Sequence, residues 1–333
     1  MFDSKTFFDL VDPNKNVIVG FSGGGDSSAL LHFCHELNQQ GLLHGSISAI
    51  HINHSLSKNS NQWEDHCKKF CKERDIAFKS YSVNVDSKKS GLESAARNAR
   101  YKIFEEVLQP QDQLLLAHHA DDVAETILFR LFRGTGLDGL QGPMKKRILG
   151  EGMLLRPWLG YTKSDLMQYL SSQEIQFISD ETNFEDNQDR NFIRNEVLRM
   201  ASKRWPNAGS QIQKTAELVS KHKKAHDFLL DRQFGEYIRG HKLQRKFLLE
   251  LEEDTCAEVL RHWIKINNIA MPNKKIIDEI FKAFIRSNPS SKTKVNWSRA
   301  DNDQKSAFLT FCDGDLILNC LLYTSPSPRD CRL

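Results

Sequence analysis

Short runs rich in β-branched and apolar residues alternate with longer segments of helical period along the first third of the chain. The runs are Val17–Phe21, Ser46–Ile52, Ala77–Val83 and Leu114–Ala117. Between them, Ser27–Leu37, Asn61–Arg74 and Glu93–Leu108 place apolar residues three and four positions apart. Strand, helix, strand in this order predicts an α/β fold, a doubly wound parallel sheet with crossover helices. A helix is expected over Asp121–Phe132, followed by a loop carrying Gly134, Gly136, Gly139 and Gly142, and an apolar stretch ending at Arg156-Pro157-Trp158. Two more helices are expected at Lys163–Gln173 and Asp189–Met200.

Beyond Arg204-Trp205-Pro206 the strand pattern stops, and 208–237 and 256–286 read as helices rich in Lys and Arg. Ile276, Ile277, Ile280 and Phe284 form one apolar stripe, which is the mark of helix packing. This divides the chain into residues 1–203, an α/β catalytic part, and 204–318, a smaller and mainly α-helical part. A strand-like run, Asp315–Leu318, comes before an abrupt change at Leu321 to Leu333, LLYTSPSPRDCRL. Residues 319–333 are therefore expected to be a non-native tail, with the last thirteen resembling translated adapter sequence.

A length of 333 residues suits one large domain with one or two smaller ones, and 39% hydrophobic content suffices for their cores. Charge is unevenly shared. Residues 1–200 carry 23 basic against 27 acidic side chains, and the remainder carries 23 against 16. A basic second part fits a polyanion-holding module appended to an enzyme. Seven cysteines, an odd number without framework spacing or a CxxC pair, argue for reduced thiols and a cytoplasmic protein. Cys67 and Cys71 lack the second ligand pair of a metal site. No run approaches a membrane span, so no membrane partner is expected.

The strongest local signal is Val17-Ile18-Val19-Gly20-Phe21 followed by Ser22-Gly23-Gly24-Gly25-Asp26-Ser27-Ser28 and an apolar helix. Glycines let the backbone approach an anion closely. Free N–H groups at the helix start and the hydroxyls of Ser22, Ser27 and Ser28 can then surround phosphate oxygens. Asp26 would repel a bare phosphate, so its presence points to a nucleotide with Mg²⁺ between. A Walker-type loop is excluded because no Gly-Lys-Ser/Thr follows. A dinucleotide turn wants an acid after the second strand, which here ends His51-Ile52-Asn53-His54. The loop resembles the SGGxDS motif of the N-type ATP-pyrophosphatases at every fixed position. That resemblance implies ATP cleaved between its α- and β-phosphates, with AMP passed to a substrate oxygen.

A second constellation follows the fourth strand: His118-His119-Ala120-Asp121-Asp122-Val123-Ala124-Glu125-Thr126. On a helix starting at the strand end, His118, Asp122 and Glu125 fall at i, i+4 and i+7 on one face. These residues resemble the HHxDDxxET signature of the tRNA(Ile)-lysidine synthetases. The similarity continues through His51–Leu56, Glu93–Tyr101, Arg130–Leu140, Arg156-Pro157, Asp180–Asn183 and Arg190–Arg194, and covers about residues 12–318. Asn53 and Ser55 stand where many members carry an acid or His and a glycine. The family's second C-terminal domain is expected to be missing or barely begun.

The resemblance implies ligation of free L-lysine to C2 of the cytidine at the first anticodon position of a tRNA(Ile) with a CAU anticodon, through an adenylated tRNA. It assigns catalysis to Asp26, Arg97, His118, Asp122 and Glu125, with Mg²⁺ on Asp26 and Asp122. ATP is expected against Phe21, Ser22, Gly23, Gly24, Gly25, Asp26, Ser27, Ser28, His51 and Asn53. Arg130, Arg133, Arg190 and Arg194 are expected to hold tRNA or phosphate, and a homodimer is among the assemblies the resemblance allows. Other tRNA-thiolating enzymes of the superfamily rely on reactive, commonly paired cysteines, and a relic RNA-binding protein would not need Asp26, Asp122 and Glu125.

Overall fold

The computed structural model describes residues 2–54, 59–83, 92–178, 189–297 and 307–320. It divides into two compact units, Met1–Lys223 and Lys224–Leu333. The sequence reading set its division at 203/204. The units divide further on, inside a helix.

The first unit is built on six strands: β1 (Asn16–Gly20), β2 (Ile47–Asn53), β3 (Ala77–Ser82), β4 (Asp112–Leu115), β5 (Lys146–Leu149) and β6 (Gly152–Leu155). Their order is β3-β2-β1-β4-β6-β5. All neighbours are parallel except the antiparallel edge pair β5 and β6. The helices are α1 (Ser4–Phe8), α2 (Gly25–Gln39), α3 (Ser60–Lys72), α4 (Leu92–Val107), α5 (Ala120–Phe132), α6 (Leu137–Leu140), α7 (Lys163–Ser172), α8 (Asp189–Phe192), α9 (Arg199–Arg204) and α10 (Ala208–Phe234), the last crossing the unit boundary. A π-helical stretch, Ile193–Leu198, joins α8 to α9.

Apolar side chains leave the sheet on both faces, as a doubly wound sheet requires. On one face Val17 and Val19 pack with Leu30, Leu31 and Cys34 of α2 and with Trp158. On the other, Leu114 and Leu154 pack with Tyr101 and Phe104 of α4. Because β2 lies on one side of β1 and β4 on the other, the strand order reverses at β1. In open parallel sheets a crevice forms outside the carboxyl ends of the strands at such a point. The glycine loop leaves β1 there and the histidine-acid segment leaves β4 there.

The expected parallel sheet and its crossover helices are present. The β5–β6 hairpin was not expected, since each strand has only four residues and β5 begins with two cations. The second unit has the expected helices and, beside them, a sheet that was not expected. It holds a five-stranded antiparallel sheet in the order β7-β8-β11-β10-β9, from β7 (Ile238–Arg239), β8 (Lys242–Gln244), β9 (Lys294–Trp297), β10 (Ala307–Cys312) and β11 (Asp315–Cys320). Strands of two to six residues give too few alternations for a period of two to stand out. With them stand α11 (Arg245–Leu248), α12 (Glu253–Ile266) and α13 (Lys274–Ile280). Ile277, Ile280 and Phe284 do pack in this core, with Leu260, Trp263, Leu309 and Leu316. Of the expected tail, 319–333, Asn319 and Cys320 instead belong to β11, paired with Phe308 and Ala307, and 321–333 lie outside the described residues, as do 55–58 and 180–183. Among the described residues no helix is long and apolar enough to cross a membrane.

Candidate nucleotide and acid site

The loop after β1 is tied to itself by its serines. Ser27 Oγ accepts from Ser22 N (3.2 Å), lies 3.1 Å from Ser22 Oγ and donates to Gly24 O (3.0 Å). Ser22 Oγ accepts from Gly24 N, and Ser28 Oγ donates to Gly23 O. Gly23 sits at φ +82°, in the left-handed region where a side chain is strained. A Cβ there would also meet Cys67 Sγ at 3.0 Å and Ile178 Cδ1 at 3.1 Å. Gly24, extended at φ −73° and ψ 161°, occupies the N-cap of α2, so no side chain at that position caps the first N–H groups of the helix. Phe21 is buried, and its carbonyl lies 2.8 Å from Nδ1 of buried His51. Asn53 is buried too and donates to Glu64 Oε2 at 2.9 Å.

Asp26, in the first turn of α2, meets the segment leaving β4. His119 is 5% exposed and lies among three carboxylates. Its Nε2 is 3.7 Å from Asp26 Oδ2 and 3.6 Å from Asp122 Oδ2, and its Nδ1 is 3.5 Å from Asp121 Oδ2. One nitrogen thus touches acids from two different strand ends. Burial alone would lower the His119 pKa, but Asp121, Asp26 and Asp122 more than reverse it, raising it to about 10. Burial would likewise raise Asp26, but its contacts with His119 and with the Lys163 ammonium hold it below the usual carboxylate range. Lys163 Nζ lies 2.5 Å from Asp26 Oδ1, and the backbone N–H of Lys163 donates to Asp121 Oδ2 at 2.7 Å.

The expected helical face of His118, Asp122 and Glu125 is corrected by the structure. Helix α5 starts at Ala120, with His119 as its extended N-cap at φ −126° and ψ −179°. His118 therefore precedes the helix and points elsewhere, while Asp122 and Glu125 share one turn. Asp122 Oδ2 accepts from the His119 backbone N–H at 2.9 Å, as an acid at N3 commonly does. Glu125 is only 4% exposed and is held by Arg194, from Nε to Oε1 at 2.6 Å and from Nη2 to Oε2 at 2.9 Å. Burial raises the Glu125 pKa, and Arg194 offsets part of that. Arg194 Nη2 also lies 3.9 Å from Asp122 Oδ1, linking the two acids.

His118 joins a second cluster. Arg156, 4% exposed, donates from Nε to His118 Nδ1 (3.1 Å), from Nη1 to Met144 O (2.7 Å) and from Nη2 to the Tyr101 hydroxyl (3.1 Å). Arg97 stacks over the Tyr101 ring at 4.7 Å and donates to the same hydroxyl. Burial first, and the charge of Arg156 next, keep His118 neutral well below its ordinary pKa. Arg130 donates to Gly139 O, and Arg133 and Arg190 both lie over the Phe129 ring, at 4.3 and 5.9 Å.

Asp26 and Asp122, expected to share one ion, both approach His119 Nε2, and the structure adds Lys163 and Asp121 beside them and Tyr101, with Arg156 on its hydroxyl, beside Arg97. No spacing pattern links Lys163 to Asp26, because the two are 137 positions apart. Tyr101 and Arg156 had a weak signal, since both stand in conspicuous sequence segments that resembled the family's.

A family model for a PP-loop domain matches residues 3–201, and a model for the TilS substrate-binding domain matches residues 243–302. With the SGGGDS loop at the strand-order reversal, this chain belongs to the PP-loop family. Among curated relatives, the tRNA(Ile)-lysidine synthase of Legionella pneumophila (strain Lens) is 35% identical over 286 residues, 86% of this chain and 65% of the relative. That of Coxiella burnetii (strain RSA 493 / Nine Mile phase I) is 34% identical over 275 residues, 82% of this chain and 61% of its own length. The chain so spans a little under two thirds of the curated relatives it matches. The solved U34-tRNA thiolase NcsA from Methanococcus maripaludis with its [4Fe-4S] cluster superposes with a TM-score of 0.52 at 19% identity, over 66% of this chain and 77% of that one, a likeness of fold.

Proposed function

We propose that this protein is a tRNA(Ile)-lysidine synthetase that works in the cytoplasm. The C2 oxygen of cytidine 34 in a CAU anticodon attacks the α-phosphorus of ATP. The bond from that phosphorus to the bridging oxygen breaks, and its electron pair leaves with pyrophosphate. The ε-amine of free L-lysine then attacks C2, the C2–O bond breaks, and AMP departs with the pair. The product base reads AUA rather than AUG, and the tRNA carries Ile rather than Met identity. The observation that carries the reading is the meeting of Asp26 with Asp122 and Asp121 around His119 at the mouth of the glycine loop. The named relatives and the two family models support it.

Carboxylate oxygens are the hard donors that Mg²⁺ prefers, and Mg²⁺ is usually held by one or two carboxylates with phosphates and water completing its shell. Asp26 and Asp122 fit that demand, and the cations now beside Asp26 mark a place where positive charge is favoured. Mg²⁺ bound there would neutralise charge on the departing pyrophosphate. Around it, Ser22, Ser27, Ser28 and the N–H groups after Gly23 and Gly24 orient the phosphates. His51 and Asn53 stand by the expected adenosine side. Neutral His118 has its Nδ1 occupied by Arg156, so its proton sits on Nε2, where it can donate but not readily accept. Glu125, with its raised pKa, is the better acceptor for the lysine proton once Arg194 yields. Arg97 is assigned to the charge of the departing pyrophosphate, and Arg130, Arg133 and Arg190 offer cations to the RNA backbone.

The rival thiolating chemistry needs an accessible thiolate. The cysteines of the first unit, Cys34, Cys67 and Cys71, are fully buried, and burial pushes all three thiols up, Cys71 to about 12. Incubation with labelled lysine, ATP, Mg²⁺ and an unmodified tRNA(Ile) transcript tests the proposal. Label in nucleoside 34 and stoichiometric AMP are expected, and a product without label rejects lysine as the co-substrate.

A further inference from the structure

Lys163 has a fixed base and a free arm. It is the first residue of α7, behind the Thr162 cap, whose Oγ accepts from Asp165 N while Asp165 Oδ2 accepts from Thr162 N. Its own N–H is anchored on Asp121 Oδ2. Yet its side chain is 45% exposed, and the ammonium rests on Asp26 Oδ1, at the start of the helix that receives the phosphates. An oxygen occupied by an ammonium is not open to a divalent ion, and a divalent ion outcompetes a single charge for a carboxylate. An ammonium displaced from Asp26 by such an ion stays within reach of the loop, because its Cα does not need to move.

We propose that Lys163 is a phosphate-binding residue that first stands in for the metal on Asp26 and then moves to the β- and γ-phosphates of a Mg²⁺-nucleoside triphosphate. The inference rests on the nucleotide reading of this site. It has two consequences of opposite sign. Without nucleotide, Lys163 suppresses binding of a bare divalent ion to Asp26. With nucleotide, it strengthens binding by adding a cation to the triphosphate.

The test uses the whole chain and two readouts: binding of Mn²⁺ alone by electron paramagnetic resonance, and binding of Mg²⁺-ATP by calorimetry, each for wild type, K163M, K163R and D26N. K163M is expected to bind Mn²⁺ several-fold more tightly than wild type and Mg²⁺-ATP about 10-fold more weakly, the loss of one charge-assisted contact. K163R, which keeps the charge, is expected to bind Mg²⁺-ATP within a few-fold of wild type. Equal Mg²⁺-ATP affinity in K163M overturns the proposal. So does a fall in Mn²⁺ affinity, because then the lysine merely holds Asp26 in place. If D26N binds both probes as wild type does, the nucleotide reading fails and takes this inference with it. If D26N is deficient while K163M is not, only this inference fails.

Discussion

Arg194 closes a two-point fork on Glu125, with both carboxylate oxygens engaged at 2.6 and 2.9 Å. The acid is buried while the side chain of Arg194 is 42% exposed, so breaking the pair costs less than in a fully buried one. Glu125→Gln is expected to lower stability by roughly 1–3 kcal/mol, between the surface and the buried limits. Urea unfolding measures this. In single turnover the same variant is expected to form the adenylated tRNA and then transfer lysine slowly, and full-rate transfer would remove Glu125 from the proton pathway.

His119 makes stability depend on pH. Unfolded, the imidazole loses its proton near 6.5, and folded it keeps it to about 10. A raised pKa contributes stability that is complete below 6.5 and fades as pH rises through 10. In EDTA, wild-type stability is expected to fall between pH 7 and 10 more steeply than that of His119→Gln. Parallel curves for the two proteins would show that the three acids do not share this proton.

A side chain at Gly23 is strained by the backbone and crowded by its neighbours. Gly23→Ala must adopt a left-handed backbone and press on Cys67 Sγ and Ile178 Cδ1. A cost of about 1–2 kcal/mol is expected from the backbone alone, with weaker ATP binding as the cradle shifts. Thermal unfolding with and without ATP separates the two effects.

Arg156 spends its donors on His118, Met144 O and Tyr101. A lysine there cannot span all three with a single ammonium. Arg156→Lys is expected to lose about 1–3 kcal/mol of stability through the partners left unsatisfied. It should also raise the His118 pKa, readable as a shift of its ring-proton NMR titration.

The glycine loop and the first three crossover helices were legible because their signals are local: a strand, a turn needing φ above zero, and an amphipathic period. Asp26 stood out in the sequence because an acid beside a phosphate cradle asks for a metal, whereas its nearness to Asp122 through His119 is tertiary information. Helix α5 itself was legible to within one residue, but the place of His118 was not, because an extended His119 serves as the N-cap and leaves His118 off the helical face. Lys163 was invisible for another reason. Its approach to Asp26 depends on how α7 packs beside α2, where a Cβ on Gly25 would lie 2.7 Å from Met167 Cε, and that is tertiary information. The second sheet was missed because β9, with its exposed and buried alternation over Lys294–Trp297, is too short to register alone.

Exchange of labelled pyrophosphate into ATP tests the central claim most directly, because it reports adenylation at the Asp26–Asp122 site before lysine enters. Exchange is expected only when Mg²⁺ and the CAU-anticodon tRNA are both present. It is expected to fall by about 100-fold or more in Asp26→Asn and Asp122→Asn, the scale on which removing an electrostatic stabiliser acts. Exchange that proceeds without tRNA, or that survives in both variants, would contradict the account.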